Sequence, residues 1–474
     1  MDMIFIELQK TSDIPLYQQI YNQIRQDIID GKFPVGMKLP SKRQLEDFLN
    51  VSQTTIELAY DQLAAEGFIA AEPRKGYFVQ KIEELAYVQP MKLEIPAAVQ
   101  KIKEEPILYD FSAGAIDTDH FPFSDWRKYA RDIIDSSHSH LLLLGDPHGD
   151  LELRREIARY LYHSRGVDCT PGQIIVGSGT EQLLPLIIRI LGEEARYAIE
   201  DPGYLMTRHV FSESHRQTIP IAVDQEGMDV KALQRSNATI AYVTPSHQFP
   251  TGTVLTAARR TALLNWAASN PDFFIIEDDY DSEFRYRGRP IPSLQGMDKG
   301  ENVIYLSTFT KSLMPSMRIA YMVLPPLLLE MYRQAFIPYS SSVPRIDQHV
   351  LARFMADGKF SRHLNRMRKI YRRKMQVLTE VLKLYEPFIS FSGDEAGMHI
   401  LLHVHIESTE EELLEKALSV GIKVRGLDTY RTVPSLSTPS FLIGFGGLSE
   451  EEITTGIDTL LQVWNIKKAT TPSL

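Results

Sequence analysis

Lys311 stands in the run Ser307-Thr308-Phe309-Thr310-Lys311-Ser312-Leu313, with Arg318 seven positions later. A lysine amine set among apolar walls and other cations loses its proton more easily than one in water. It can then condense with an aldehyde to form a Schiff base. A second segment offers an anion site. Ser178-Gly179-Thr180 follows the apolar run Ile174–Val176 and precedes a helical pattern over Glu181–Leu191. Backbone N–H groups at a helix start point at whatever anion docks there. Thr308 adds a hydroxyl and Arg318 a fork of donors. A third segment, Ile275-Ile276-Glu277-Asp278-Asp279-Tyr280, ends a buried run with three carboxylates. Asp201-Pro202-Gly203-Tyr204 ends another with an aromatic ring that could stack on a planar ligand.

The elements that must position these residues follow from pattern. From Ile107 onward, short apolar runs alternate with amphipathic helices. The runs are Ile174–Gly177, Ala195–Glu200, Ile240–Val243, Phe273–Glu277 and Val303–Leu306. Each ends at a polar or glycine-rich loop. That pattern predicts an α/β domain on a mostly parallel sheet, with its chemistry at the strand ends. A basic helical stretch follows Pro344, and a smaller α+β part runs from about Phe391 to Trp464.

The first eighty residues have a different purpose. Leu16, Ile20, Ile24 and Ile28 recur at helical spacing before Gly31. Ser41 can cap a helix to Leu49, and Ser52 a second from Gln53 to about Glu66. Phe68–Ala71 and Gly76–Val79 read as two short strands around Pro73-Arg74-Lys75. Helix, helix, turn, helix and wing make a winged helix-turn-helix, a DNA-reading motif. This segment carries eight Lys or Arg against eleven Asp or Glu, a balance of −3. Binding to DNA must therefore rest on local clusters: Lys38, Lys42 and Arg43, then Arg74 and Lys75. Residues 81–106, where Lys and Glu mix with proline, read as a linker.

Composition sets the outer limits. At 474 residues with 43% hydrophobic side chains, the chain can bury two or three cores. No apolar run is long enough to span a bilayer, and the N-terminus lacks a signal-peptide pattern. The single cysteine, Cys169, can form neither an internal disulfide nor a cysteine-based metal site. A cytoplasmic location and no metal are expected.

The first segment resembles the GntR family of bacterial regulators. The matching residues are Pro15–Ile20, Leu39-Pro40-Ser41-Lys42-Arg43, Val51-Ser52, Ala59-Tyr60, Glu66-Gly67 and Arg74-Lys75-Gly76. Residues 107–465 resemble fold-type I pyridoxal-5'-phosphate enzymes of the aspartate aminotransferase superfamily. The whole chain resembles the MocR/GabR subfamily, which joins both halves. The resemblance implies a domain order of 1–80, a DNA-binding winged helix; 81–106, a linker; and 107–465, an aminotransferase-like effector domain. It implies DNA contacts from Ser41, Arg43, Ser52, Thr54 and Thr55, with Arg74, Lys75 and Gly76 in the wing and Gly76 at its tip. It implies a Schiff base between Lys311 and pyridoxal phosphate. The phosphate would be held by Ser178, Gly179, Thr180, Thr308 and Arg318. Asp278 would face the ring nitrogen, with Asp279 as the rival, and Tyr280 the phenolic oxygen, while Tyr204 stacks on the ring. A head-to-tail, domain-swapped homodimer on promoter DNA is implied as well.

Departures bear on function. Phe249, in Pro245-Ser246-His247-Gln248-Phe249-Pro250-Thr251-Gly252, stands where working transaminases place an asparagine. Gly447 stands where they place the arginine for the substrate carboxylate. Both disfavour efficient turnover. Met206 and Thr429 replace the arginines of subfamily members that sense γ-aminobutyrate, which disfavours that ligand. Arg208, Arg425 and Arg431 remain nearby for a differently shaped one. Subfamily members sense γ-aminobutyrate, taurine, D-alanyl-D-alanine or pyridoxal phosphate. The expected function is thus a PLP-dependent transcription regulator that senses an amino-bearing small molecule, or the cofactor itself, by exchange at Lys311. The alternative is an active aminotransferase with a secondary DNA-binding domain.

Overall fold

The computed structural model describes Ile6, Leu8, Gln9, Ser12 and residues 14–82, 106–286, 291–336, 339–432 and 438–469. Most of the 81–106 linker therefore lies outside the described residues. The chain divides into two compact units, the first within residues 1–102 and the second from residue 103 onward.

In the first unit α1 (Leu16–Ile29), α2 (Lys42–Leu49) and α3 (Gln53–Ala65) precede a hairpin of β1 (Ile69–Glu72) and β2 (Gly76–Val79). Ile20, Ile24, Leu45, Ile56, Tyr60 and Leu63 are buried together, so the helical spacing of apolar residues marks one core. Ser41 caps α2 in a full capping box with Gln44, and Ser52 caps α3 by accepting from the Thr55 N–H. Gly67, at φ +81°, closes α3.

The second unit opens with a short strand, β3 (Tyr109–Asp110). Its main sheet contains β4 (Ile174–Gly177), β5 (Tyr197–Asp201), β6 (Thr218–Asp224), β7 (Gly227–Met228), β8 (Ile240–Val243), β9 (Phe274–Asp279), β10 (Val303–Thr308) and β11 (Ala320–Val323). Their order across the sheet is β4-β11-β10-β9-β8-β5-β6-β7. The run β10-β9-β8-β5-β6 is parallel, while β11 and β7 are antiparallel to their neighbours, so the sheet is mixed. Three strands of this sheet, β6, β7 and β11, were not foreseen as such. The run holding β11 sits just past Arg318, and β6 alternates exposed and half-buried residues around Ile221. Because β4 and the parallel run point the same way, Gly177, Asp201, Val243, Asp279 and Thr308 all end at one edge.

A smaller antiparallel sheet follows, β12 (Ile389–Ser392), β13 (His399–Val404), β15 (Arg425–Gly426) and β16 (Ser440–Gly444), in the order β12-β13-β16-β15. The strand β14 (Ile422–Lys423) pairs in parallel with β3. The basic stretch after Pro344 forms two helices, Arg345–Ala356 and Lys359–Lys383. Among the described residues no helix is long and apolar enough to cross a membrane.

Candidate functional site

A cavity of about 730 Å³ opens at the shared strand edge. It brings together Gly179, Thr180, Tyr204, Asp278, Tyr280, Thr308, Lys311 and Arg318, from five separate loops and strand ends. Ser178 is the exception among the expected residues. It is absent from the lining, and its N–H donates to Gln182 Oε1 at 3.2 Å.

Strand alternation separates the two aspartates of β9. Successive side chains point to opposite faces, so Asp278 shares a face with Ile276 and Asp279 with Glu277. Asp279 Oδ2 accepts from Arg165 Nε at 2.6 Å and from the Tyr305 hydroxyl at 2.5 Å, deep on the far side. Asp278 lines the cavity. Its Oδ2 accepts from the Tyr242 hydroxyl, and its Oδ1 has no partner among the described residues. Burial raises the Asp278 carboxyl to about 7; the bond from Tyr242 opposes the rise, and Asp279 and Asp281 add to it.

Lys311 lies three residues past the end of β10. Its Nζ donates to the Ala113 carbonyl. Burial pushes the amine down to about 8, against the pull of the nearby Asp281 carboxylate. A lysine so placed holds a useful fraction of neutral, nucleophilic amine near neutral pH.

The anion end is built from the start of the helix Thr180–Leu191. Gly179 takes φ +140°, and a Cβ there would collide with the Arg318 guanidinium and the Glu181 carboxylate. Arg318, itself at φ +52°, pairs with Glu181. Thr308 Oγ1 lies 2.7 Å from Thr310 Oγ1.

Aromatic rings form a further wall. Phe249 meets Tyr204 and Tyr430 edge-to-face at 5.2 Å each, and lies 5.4 Å from His399. Where an amide could donate a hydrogen bond, this chain presents an apolar ring.

Three observations fit pyridoxal phosphate: the lowered amine of Lys311, the orphaned carboxylate oxygen of Asp278, and a cradle at Gly179 that only glycine fits beside a guanidinium. Residues 106–460 match the aminotransferase class I and II family, and residues 16–79 match the bacterial regulatory proteins of the gntR family. The HTH-type transcriptional regulator YdeL of Bacillus subtilis (strain 168), itself uncharacterized, is 42% identical over 461 residues, covering 97% of this chain and 99% of its own. The chain belongs to the GntR regulators of MocR/GabR type. The HTH-type pyridoxine biosynthesis transcriptional regulator PdxR of Corynebacterium glutamicum is 31% identical over 436 residues, 92% of this chain and 93% of that one. Among solved structures, the kynurenine aminotransferase of Pyrococcus horikoshii superposes with a TM-score of 0.68 at 26% identity, over 76% of this chain and 92% of that chain. The regulator therefore carries the aminotransferase fold, a fold that implies pyridoxal phosphate.

Several site residues of this MocR/GabR-type regulator escaped sequence reasoning. Asp281, whose charge opposes the lowering of the Lys311 amine by burial, lines the cavity one residue beyond Tyr280. His247 Nδ1 lies 2.8 Å from Asp281 Oδ2, and both are buried. His399, at the start of β13, stands 4.5 Å from the His247 ring. The His247-containing loop and the Asp-Tyr-Asp run carried a weak signal. Arg165, the last residue of the helix Leu151–Arg165, carried none, because its partner lies 114 positions away.

On the first unit, Arg43, Ser52, Thr54, Arg74 and Lys75 are exposed, and Thr55 is half-buried beneath the Ser52 cap. The Ser41 and Ser52 hydroxyls already serve as caps. Arg74, at φ +65°, sits within the wing turn, and Gly76 begins the return strand β2 rather than occupying the tip.

Proposed function

We propose that this regulator binds promoter DNA through its winged helix and holds pyridoxal phosphate at Lys311, so that an amino-bearing small molecule, or the cofactor itself, sets its DNA affinity. The observation that carries this reading is the convergence of Lys311, Asp278 and the Gly179–Arg318 cradle on one cavity, in a chain that also carries a DNA-reading motif.

Bound pyridoxal phosphate supplies an aldehyde that condenses reversibly with amines and a ring that draws electrons. The residues divide the remaining work. Arg318, Thr308, Thr180 and the backbone at Gly179 would bind the phosphate. Asp278, through Oδ1, would hold the ring-nitrogen proton. Tyr280, whose hydroxyl donates to the His247 carbonyl at 2.9 Å, would face the phenolic oxygen. Tyr204 and Phe249 would cover the ring and exclude water. Lys311, partly neutral near pH 8, supplies the amine.

Phe249 and the missing arginine at Gly447 favour binding over turnover, so the site suits sensing. Differential affinity of ligand for two conformations is what a sensor requires. The relative PdxR, named as a pyridoxine biosynthesis regulator, supports the cofactor as one candidate signal. Two copies of the chain would place two readers on paired half-sites. A homodimer is supported by the exposed apolar side chains Ile134, Leu142, Leu143 and Leu144 on the second unit.

Borohydride reduction of the purified protein followed by peptide mass spectrometry tests the cofactor. A phosphopyridoxyl adduct at Lys311 is expected, and its absence would remove the basis of the proposal. Footprinting upstream of the protein's own gene, with and without pyridoxal phosphate and candidate amines, tests the regulation. Sustained keto-acid release at enzyme-like rates would favour an aminotransferase instead.

A further inference from the structure

A second cavity, of about 540 Å³, lies in the second unit and shares no lining residue with the first. Its walls are one face of the helix Leu151–Arg165, one face of the helix Lys359–Lys383, and the segment 282–285 just past β9. The chemistry at Lys311 leaves it unused.

Five arginines reach this cavity, and their partners separate them. Arg159 pairs with Glu156 at 2.8 Å, and Arg165 is engaged by Asp279, the Ile291 carbonyl and Ser246. Three remain. Arg368 donates from Nε to the Glu283 carbonyl at 2.9 Å and from Nη1 to Asn365 Oδ1 at 2.8 Å, both neutral acceptors. Arg285 and Arg372 pair with no carboxylate among the described residues. The Nε of Arg285 is buried and has no partner among those residues. Guanidiniums gathered without a counter-anion repel one another, and a multiply charged oxyanion is the group that satisfies several of them at once.

Glu283 adds a second demand. It is 9% exposed; its Oε1 accepts from the Tyr160 hydroxyl at 3.1 Å, and its Oε2 is buried with no partner among the described residues. Burial, then the charge of Asp279, push this carboxyl up to about 7, so near neutral pH it can accept a hydrogen bond from a ligand hydroxyl or donate one to it. A buried oxygen left unpaired is costly, and a ligand hydroxyl removes that cost. Tyr160 and Phe360, edge-to-face at 5.2 Å, give the cavity an apolar wall. A DNA duplex carries its phosphates on a broad convex surface and does not enter a recess with buried donors; a small molecule does.

We propose that this cavity binds a small phosphomonoester that also carries a hydroxyl group, with the phosphate on Arg285, Arg368 and Arg372 and the hydroxyl on Glu283. The site stands apart from the Lys311 cavity, and neither depends on the other.

The full-length protein is loaded with pyridoxal phosphate, reduced with borohydride and desalted, so that the Gly179–Arg318 cradle stays filled. It is then titrated by calorimetry with glycerol 3-phosphate, methyl phosphate, sulfate and glycerol. Glycerol 3-phosphate should bind with a Kd on the order of 0.1 mM, about tenfold tighter than methyl phosphate, and glycerol should give no response. Arg372→Gln should weaken binding of both esters about tenfold, the loss typical of one charge-assisted hydrogen bond. Arg372 is exposed, so the fold should tolerate the change. Lys369→Gln, at an exposed lysine on the same helix outside the cavity, should leave both affinities as they were. Glu283→Met should erase the advantage of glycerol 3-phosphate over methyl phosphate. No binding of either ester up to about 10 mM, or equal binding by Arg372→Gln and the parent, would overturn the site. Equal affinity for sulfate and both esters would reduce it to a patch of positive charge and overturn it as well. Displacement of the ester by a duplex unrelated to any operator, with a matching loss of duplex affinity in Arg372→Gln, would assign the guanidiniums to DNA instead.

Discussion

The Tyr242 hydroxyl donates to Asp278 Oδ2, so that one carboxylate oxygen is held while the other is left facing the cavity. Tyr242 lies on β8 and Asp278 on the adjacent strand β9, so sheet register fixes the pair. The bond also limits how far burial raises the Asp278 carboxyl. Tyr242→Phe should raise it further, above about 7, and favour the neutral acid at physiological pH. A neutral acid cannot balance a protonated ring nitrogen. Affinity for pyridoxal phosphate should fall about tenfold, the loss typical of one hydrogen bond to a charged group. Absorbance titration of the cofactor-free protein measures it. Unchanged affinity would separate Asp278 from cofactor binding.

Lys311 sets a pH dependence with a definite sign. Below about pH 8 its amine is mostly protonated and cannot attack an aldehyde. The rate at which cofactor-free protein takes up pyridoxal phosphate should climb about tenfold per unit through the acidic side and level off above pH 8. Asp281 stabilises the ammonium, so Asp281→Asn should move the midpoint downward. Stopped-flow absorbance over pH 6 to 10 reads both. A midpoint that moves upward would show that Asp281 acts through His247 instead.

Two roles compete for the serines of the winged helix, and the structure makes them distinguishable. Ser41 and Ser52 cap α2 and α3. Replacing either with alanine should cost about 1 kcal/mol of stability in this unit, seen as faster amide exchange in the capped helix. Arg43 and Arg74 are exposed. Their alanine variants should leave stability within about 0.5 kcal/mol and lower the salt slope of DNA binding by about one each. An unchanged slope would remove that residue from the phosphate contacts.

The winged helix was legible in sequence because its determinants are local. Caps, helical spacing and the wing turn each act within a few residues, and all reappear in α1–β2. The five apolar runs became strands for the same reason. What sequence could not resolve depended on contacts across the chain. Asp278 and Asp279 are equivalent as letters; only the pleat, with Arg165 and Tyr305 on one face, tells them apart. Ser178 fits an anion loop by type, yet its N–H turns to Gln182. Arg208, Arg425 and Arg431 look interchangeable until Asp428 claims Arg431, and the Arg431 carbonyl and Thr432 hydroxyl claim Arg208. Strand β11 was missed because a return strand following a loop carries no marker of direction.

The exposed run Leu142–Leu144 should be covered in solution by a second copy. Leu144 is 84% exposed and Leu142 79%, too much apolar surface for so short a segment to leave wet without cause. Arg345 holds this segment by donating to the Leu143 carbonyl at 3.1 Å. Leu143→Asp should shift the sedimentation coefficient toward the monomer. It should also weaken binding to a two-half-site operator more than to a single half-site. A variant that sediments like the parent would place the dimer contact elsewhere.

Lys374 and Asp117 form a buried ion pair at 2.8 Å, 7% and 5% exposed, that ties the helix Lys359–Lys383 to the segment preceding the helix Phe123–Ile133. Lys374 also donates to the Gly446 carbonyl at 3.0 Å, beyond the end of β16. Burial alone would raise the Asp117 carboxyl, but the bonds from Lys374 and His120 outweigh it and hold the group below its usual range. A carboxyl depressed in the folded state stabilises the fold at neutral pH, and that contribution is lost as pH falls through the depressed value. Lys374→Met leaves the carboxylate buried without its cation and should cost about 3–5 kcal/mol at pH 7. The variant can recover by protonating Asp117, so the defect should shrink as the pH falls below about 5. Pairing Lys374→Met with Asp117→Asn should restore much of the loss at neutral pH, because no buried charge then stands alone. Urea denaturation of the four proteins at pH 7 and pH 4.5 gives the coupling directly. A defect of equal size at both pH values would mean that Lys374 contributes by packing and by its bond to Gly446, with no share from Asp117.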